Sequence, residues 1–184
     1  LLLILEKTEC QSVLLRVLDL VRHLIDKGKK DSPSDVKEIT ASSILYLQEA
    51  NAILEYRVAQ EDQKPIYILA ETMALYSMKH TNLESLDSGL SLFKALVKKN
   101  QGYESAKKAV RQAINQAIKT SNNLGDQNNL RRSVIEKAFS LLDSLIKKNK
   151  KSVDLVNLAK TFTESKDKEV SGLATHLFVT KKDS

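Results

Sequence analysis

The chain has 184 residues, of which 42% are hydrophobic, and it carries a formal net charge of +6. This length and apolar content suffice to bury a core, which excludes a disordered chain. Five glycines and two prolines are too few for the many turns of a sheet protein, so the composition favours helices. A single cysteine, Cys10, excludes an intrachain disulfide, and we expect a reducing, intracellular setting in the cytoplasm or nucleus.

The N-terminal part reads as less regular helices. It opens with the apolar run Leu1–Leu5, which is too short to cross a bilayer, so we expect no transmembrane segment and interpret the chain as a fragment of a larger protein. An amphipathic helix then runs to Gly28. The next predicted helix begins at Pro33, a residue suited to the first helical turn, and continues to Gln60, with a weak point over 40–43.

The chain after residue 64 is predicted to form further helices separated by short connections and one longer polar loop. Pro65 opens a helix that ends near His80, and Thr81 with Glu84 has the spacing of a capping box for the next one. Alanines from Ala106 to Ala117 form a small-residue stripe on a further helix. The remaining predicted segments are a polar loop over 120–129 and helices over 130–148, 152–165 and 167–181.

A ten-residue block occurs twice. Ser91–Asn100 and Ser140–Asn149 are identical at six of ten positions and lie 49 residues apart, and a weaker copy covers 18–28. Repeated units usually mean stacked modules that present a surface, whereas the alternative is a chance match between two leucine-rich helices. The copies end at Gly28, Asn100 and Asn149, residue types that tolerate the left-handed conformation closing a helix.

The last predicted helix opens Asp167-Lys168-Glu169-Val170-Ser171-Gly172-Leu173-Ala174-Thr175-His176-Leu177. With an acid, a Val, an Ala and a Leu at these intervals, the helix pairs over 83–181 resemble HEAT or armadillo-type repeats. The resemblance implies a right-handed superhelix that binds other macromolecules along a concave face or ridge. Gly172, the missing Pro at the first-helix kink and the 49-residue period depart from the pattern, which leaves an irregular helical bundle as the alternative.

The fold prediction is therefore an all-α, right-handed α–α superhelix of about eight helices in a single domain, 1–184. Residues 1–80 supply the less regular helices, and 81–184 supply two repeat-like helix pairs plus a terminal helix. The charge is also uneven along the chain, since 1–62 carry eight Lys and Arg against eleven Asp and Glu, while the remainder is basic.

Stacking the two blocks would bring their lysine-rich ends to one side of the molecule, which we name the lysine edge. Such cations attract an acidic peptide or phosphates, and the alternative is an ordinary solvated helix end. The lysine edge comprises Lys98, Lys99, Lys147, Lys148, Lys150 and Lys151. The helix that follows the first copy of the block would widen it with Lys107, Lys108 and Arg111.

Other polar residues carry weaker signals. Arg131 and Arg132 stand at a predicted helix start, where the dipole disfavours cations. We interpret them as an exposed pair, with contact to another chain as the alternative. The histidines His23, His80 and His176 lack the spacing of zinc ligands, so we expect no metal site and no cofactor.

These features favour an interaction protein over an enzyme. The sequence has no phosphate-binding glycine loop, nucleophile elbow or other catalytic motif, and we assign no catalytic residues. We expect a non-enzymatic scaffold or adaptor that binds another protein, with an acidic segment meeting the lysine edge. The alternative is a helical module that binds nucleic acid or anionic membrane lipid through the same lysines.

Overall fold

The structure is a computed structural model that describes residues 36–80, 82–120, 128–149 and 152–179, together with Arg16, Asp19, Leu20 and His23, which are helical. Seven helices lie in these ranges. They are α1 (Val36–Gln60), α2 (Lys64–Met78), α3 (Leu83–Lys98), α4 (Tyr103–Thr120), α5 (Asn128–Lys148), α6 (Val153–Thr163) and α7 (Lys168–Val179).

The described part of the chain is all-helical and holds no strand, which confirms the predicted all-α class. It contains seven helices where about eight were predicted, and the predicted helix before Gly28 falls almost entirely outside the described residues. The predicted weak point over 40–43 is wrong, because α1 continues through it without a break. That stretch holds neither Pro nor Gly, and its Ser and Thr lower helix propensity only slightly.

Local signals explain where several helices begin. Pro65 stands in the first turn of α2, where its missing N–H removes no helical hydrogen bond. The α3 start differs from the predicted capping box, since Asn82 is the N-cap and its Oδ1 accepts a hydrogen bond from the Ser85 backbone N–H at 2.8 Å. Asn is as good an N-cap as Thr or better, so the helix begins one residue later.

The principal packing contacts join helices that are adjacent or next but one along the chain. Thus α3 packs against α1, α2, α4 and α5, while α7 packs against α5 and α6. The pair α4 and α6 does not belong to these principal contacts. Among the described residues, every helix therefore packs mainly against near neighbours in sequence.

Helices α3 and α5 are parallel and nearly in register. Early in α3 and midway along α5, Lys137 Nζ lies 2.6 Å from Asp87 Oδ2, and further along both helices Lys94 Nζ donates to Ser140 Oγ at 2.8 Å. At their ends Lys148 Nζ donates to the Lys98 carbonyl oxygen at 2.7 Å. The two copies of the repeated block therefore lie side by side.

Small residues allow close helix approach at two places. The predicted alanine stripe of α4 is confirmed, because Ala106, Ala109, Ala113 and Ala117 are all buried. On α3, Gly89 lies so close to α2 that a Cβ built on it would be 2.9 Å from Ser77 Cβ. Larger side chains at these two places would keep the helices further apart and leave less apolar surface buried.

Replacing Gly89 with alanine tests this packing. We expect Gly89→Ala to lower the free energy of unfolding by about 1–2 kcal/mol, because the overpacking outweighs the gain in helix propensity. Gly172→Ala is the matched control, since nothing beyond its chain neighbours and its own helix backbone lies within 4 Å of its added Cβ, and it should stabilise α7 by up to about 1 kcal/mol. Urea unfolding of both variants measures the difference, and equal stabilisation by the two substitutions would contradict the close approach.

Candidate partner-binding site

The α3 end of the lysine edge is built on a left-handed turn. Asn100 has φ of 62°, the Gln101 N–H donates to the Leu96 carbonyl at 2.9 Å, and the Asn100 N–H donates to Val97 at 3.0 Å. This is a Schellman motif, which satisfies carbonyls that a helix end leaves unpaired. The predicted left-handed stop is confirmed at Asn100, and it turns the chain into α4.

The equivalent stop at Asn149 is different, and the predicted left-handed conformation is wrong there. Asn100 is the only non-glycine residue with positive φ in the described ranges. The Asn149 N–H continues the helical pattern to the Leu145 carbonyl at 3.0 Å, and its own carbonyl accepts from the Ser152 N–H at 3.0 Å. Asn149 therefore ends α5 without the left-handed conformation that Asn100 adopts.

Lys148 joins the two helix ends. Its Nζ donates to the Lys98 carbonyl and, at 2.6 Å, to Asn100 Oδ1. Tyr103 Oη at the start of α4 donates to the same Asn100 oxygen at 3.1 Å. The ammonium group therefore lies at the negative end of the α3 dipole, where a cation is favoured. The ends of α3 and α5 and the start of α4 meet at this point.

The structure places the remaining predicted binding residues in differing surroundings. Lys98 is exposed and Lys99 half-buried, and Lys147 Nζ lies 2.6 Å from Asp143 Oδ2 one turn earlier. Lys150 and Lys151 lie outside the described residues. The other three predicted residues, Lys107, Lys108 and Arg111, line a groove between α4 and α6.

This groove, the α4–α6 groove, has a volume of about 590 Å³. It opens where the two helices lack extensive contact, and it is crossed at one end by Lys107 Nζ, 3.0 Å from Asp154 Oδ2. Nine of its ten lining residues are polar or charged types, although their exposed surface includes the apolar stems of these side chains. The lining residues are Glu104, Lys107, Lys108, Arg111, Gln112 and Asn115 of α4 and Asp154, Asn157, Leu158 and Thr161 of α6.

Sequence patterns alone predicted three of the ten residues that line this groove. Glu104, Asn115, Asp154 and Asn157 were not singled out, because each belongs to the polar face of an otherwise ordinary amphipathic helix. A signal did exist, since Lys107 and Asp154 are 47 residues apart, close to the 49-residue repeat. Applying the repeat distance to the polar faces as well as to the apolar stripes would have brought the two walls together.

Arg131 is the largest departure from the sequence prediction, which had it exposed. Only 5% of its surface is accessible. Its guanidinium bonds Asp167, lies 2.7 Å from Glu169 Oε2 and donates through Nε to the Ala117 carbonyl at 3.0 Å. The two carboxylates offset the unfavourable dipole position. Arg131 thus fastens the end of α4 and the start of α7 to α5.

Arg132 is exposed as predicted. Its Nε lies 2.8 Å from Glu136 Oε1 one turn later, while Glu169 is 3.7 Å away. The hydrogen bond and charge of Glu136, followed by the charge of Glu169, raise the pKa of Arg132. The guanidinium therefore keeps its charge at any pH at which the protein folds.

Comparison with known proteins adds no relative. No protein-family model, curated protein or solved structure matches the chain. Among the described residues no group of three or more His, Cys, Asp and Glu could hold a metal ion. No helix within the described ranges is long and apolar enough to span a membrane.

The two neighbouring arginines offer a matched pair for a stability test. Arg131→Met should lower the free energy of unfolding by about 2–3 kcal/mol, because it leaves two partly buried carboxylates without their counter-charge. Arg132→Met, at a side chain 67% accessible, should change it by about 0.5 kcal/mol or less. Urea unfolding followed by circular dichroism gives both values. Similar losses for the two variants would show that Arg131 does not fasten the helices.

Proposed function

We propose that this chain is a non-enzymatic scaffold of stacked helical repeats that binds an acidic, extended segment of a partner protein along the lysine edge. The observation that carries the proposal is the contact between the two lysine-bearing helix ends, through Lys148 Nζ and the Lys98 carbonyl. Four lysines on adjoining ends attract anions more strongly than the same lysines dispersed. We assign the protein to the cytoplasm or nucleus.

The packing pattern supports the repeat part of the proposal. Contacts between helices next but one in the chain occur at separations of 46 and 50 between α3 and α5 and 47 between α4 and α6. These values bracket the 49-residue spacing of the repeated block. Nearest-neighbour packing of this kind is typical of repeat arrays of the HEAT or armadillo type. We propose that this packing continues along the chain as a right-handed superhelix.

The gap between α4 and α6 supports a particular curvature for that superhelix. Helices α1, α3 and α5 pack in a continuous row, whereas α4 and α6 share little direct packing. A stack that is tight along one row and splayed along the other bends toward the tight row. In the proposed superhelix the α4–α6 groove therefore lies on the outer side.

A protein partner is favoured over a nucleic acid or a lipid surface because acids are interspersed with the cations. Asp143 pairs with Lys147, and Asp154 pairs with Lys107. A phosphate backbone or an anionic bilayer presents repeated negative charge, and these carboxylates oppose it. A peptide can carry acidic side chains only at the positions that face lysines, so it avoids the carboxylates between them. The nucleic-acid and lipid alternative becomes an outcome of the experiment.

The experiment compares two sets of four charge reversals. Changing Lys98, Lys99, Lys147 and Lys148 to Glu should weaken binding of a labelled Glu-rich decapeptide by about ten-fold at low salt, since each surface charge contributes modestly. The control reverses Lys79, Lys119, Lys160 and Lys166, all exposed and near the opposite ends of α2, α4 and α6. This control should bind the decapeptide as the unaltered chain does.

Two further measurements make the result decisive. Lys→Gln variants at the same four edge positions, checked by circular dichroism, separate loss of charge from loss of fold. A labelled DNA duplex and acidic liposomes are titrated in parallel at low and high salt. Equal decapeptide binding by the edge and control sets refutes the proposal, and tighter salt-sensitive binding of duplex or liposomes supports the alternative.

A further inference from the structure

The side of α1 opposite its buried face carries an apolar stripe. Leu45, Ala52, Tyr56 and Ala59 are all exposed, and Leu45 and Tyr56 keep 59% and 66% of their surface accessible. At 3.6 residues per turn, the four side chains fall within about 60° of the helix circumference and extend over about 21 Å of its length. By contrast, α3 and α5 carry no exposed large apolar side chain in the described structure. We name the four residues the α1 stripe.

Two acids flank the α1 stripe. Glu49 precedes Ala52 by three residues and Glu55 follows it by three, which places them about 60° to either side of Ala52. Both are exposed. Between residues 44 and 60 no exposed cation balances them, because the single basic residue there, Arg57, is buried and paired with Glu61. The α1 stripe is therefore apolar with acidic margins, on a chain whose net charge is +6.

The place of α1 in the packing indicates that a helix covers the stripe. Among the described helices, α1 packs principally against α2 and α3, and α3 packs against both α1 and α5. The α1 stripe lies where one more helix would extend the row of α1, α3 and α5 beyond α1. A second copy of the chain is disfavoured as that helix, since two facing stripes would bring Glu49 and Glu55 against the same acids, and like charges across an interface oppose association.

We infer that the α1 stripe binds a basic amphipathic helix of a partner protein. Apolar residues of that helix, spaced three or four apart over about four turns, cover Leu45, Ala52 and Tyr56. Its Lys or Arg side chains flank those apolar residues and meet Glu49 and Glu55. The lysine edge selects the opposite charge, so this inference goes beyond the proposed function and does not depend on it.

Three labelled peptides of equal length test the inference by fluorescence anisotropy with the whole chain. The Lys peptide is an amphipathic helix with a leucine stripe flanked by lysines, the Gln peptide has glutamine in place of each lysine, and the scrambled peptide has the composition of the first without its stripe. The Lys peptide should bind about five-fold more tightly than the Gln peptide and about ten-fold more tightly than the scrambled one. A chain of net charge +6 repels a basic peptide overall, so the first preference requires local acids.

Two double variants separate the charge from the apolar contact. Glu49→Lys with Glu55→Lys should remove the preference for the Lys peptide over the Gln peptide. Leu45→Gln with Tyr56→Gln should weaken binding of both these peptides about ten-fold, because it removes the apolar contact that they share. All four side chains are exposed, so circular dichroism of the variants should match that of the unaltered chain.

The matched control is Glu104→Lys with Glu164→Lys, which makes the same charge change at exposed positions on α4 and at the end of α6. It should leave the order of the three peptides unchanged. Equal binding of the Lys and Gln peptides by the unaltered chain overturns the inference, and so does Lys-peptide binding that survives both double variants of α1.

Sedimentation velocity tests the other occupant. A dimer of the unaltered chain that dissociates in the variant with Leu45→Gln and Tyr56→Gln would show that a second copy covers the α1 stripe, which also overturns the inference. The Glu-rich decapeptide should bind the unaltered chain and both α1 variants alike, because neither variant alters the lysine edge. Failure of the proposed function is thus seen with the decapeptide, and failure of this inference with the Lys peptide.

Discussion

The parallel packing of α3 against α5 is the constraint on which the described structure depends. Apolar burial drives the two helices together, and polar bonds across the interface set their register. Asp87 accepts from both Ser133 Oγ and Lys137 Nζ, and Lys94 reaches Ser140. Each such bond contributes only about 1 kcal/mol. A slip by one turn would break all of them together, so the register is specified cooperatively.

Two features of the candidate site follow from that register. It brings the end of α5 to the end of α3, which gives Lys148 a carbonyl and an amide oxygen to bond. It also sets the distance between α4 and α6, because each returns antiparallel from the helix before it. A groove remains where their packing is incomplete. The same interface thus determines both the lysine edge and the α4–α6 groove.

The sequence predicted the parts of the structure that local physics decides. Apolar periodicity located all seven described helices, Pro65 marked the first turn of α2, and the residue type at Asn100 identified a left-handed stop. Asn149 has the same residue type and lysine-rich flank, yet its φ is not positive, and its N–H keeps the helical bond to the Leu145 carbonyl. Residue type permits the left-handed conformation but does not impose it.

Tertiary contacts account for what the sequence missed. Arg131 stands where local rules predict an exposed cation, and the carboxylates that bury it, on Asp167 and Glu169, are 36 and 38 residues further along the chain. The groove likewise depends on a gap between two helices, which no single helix encodes. Polar residues were therefore misread more often than apolar ones, because their partners lie on other helices.

Packing with near neighbours in sequence also governs how the chain acquires its structure. Within the described ranges, a helix such as α3 has its principal contacts within two helices on either side. Proteins rich in such short-range contacts fold quickly, because little loop-closure entropy is lost before each contact forms. During synthesis, each helix of the described part can bury its apolar face once the next two have left the ribosome.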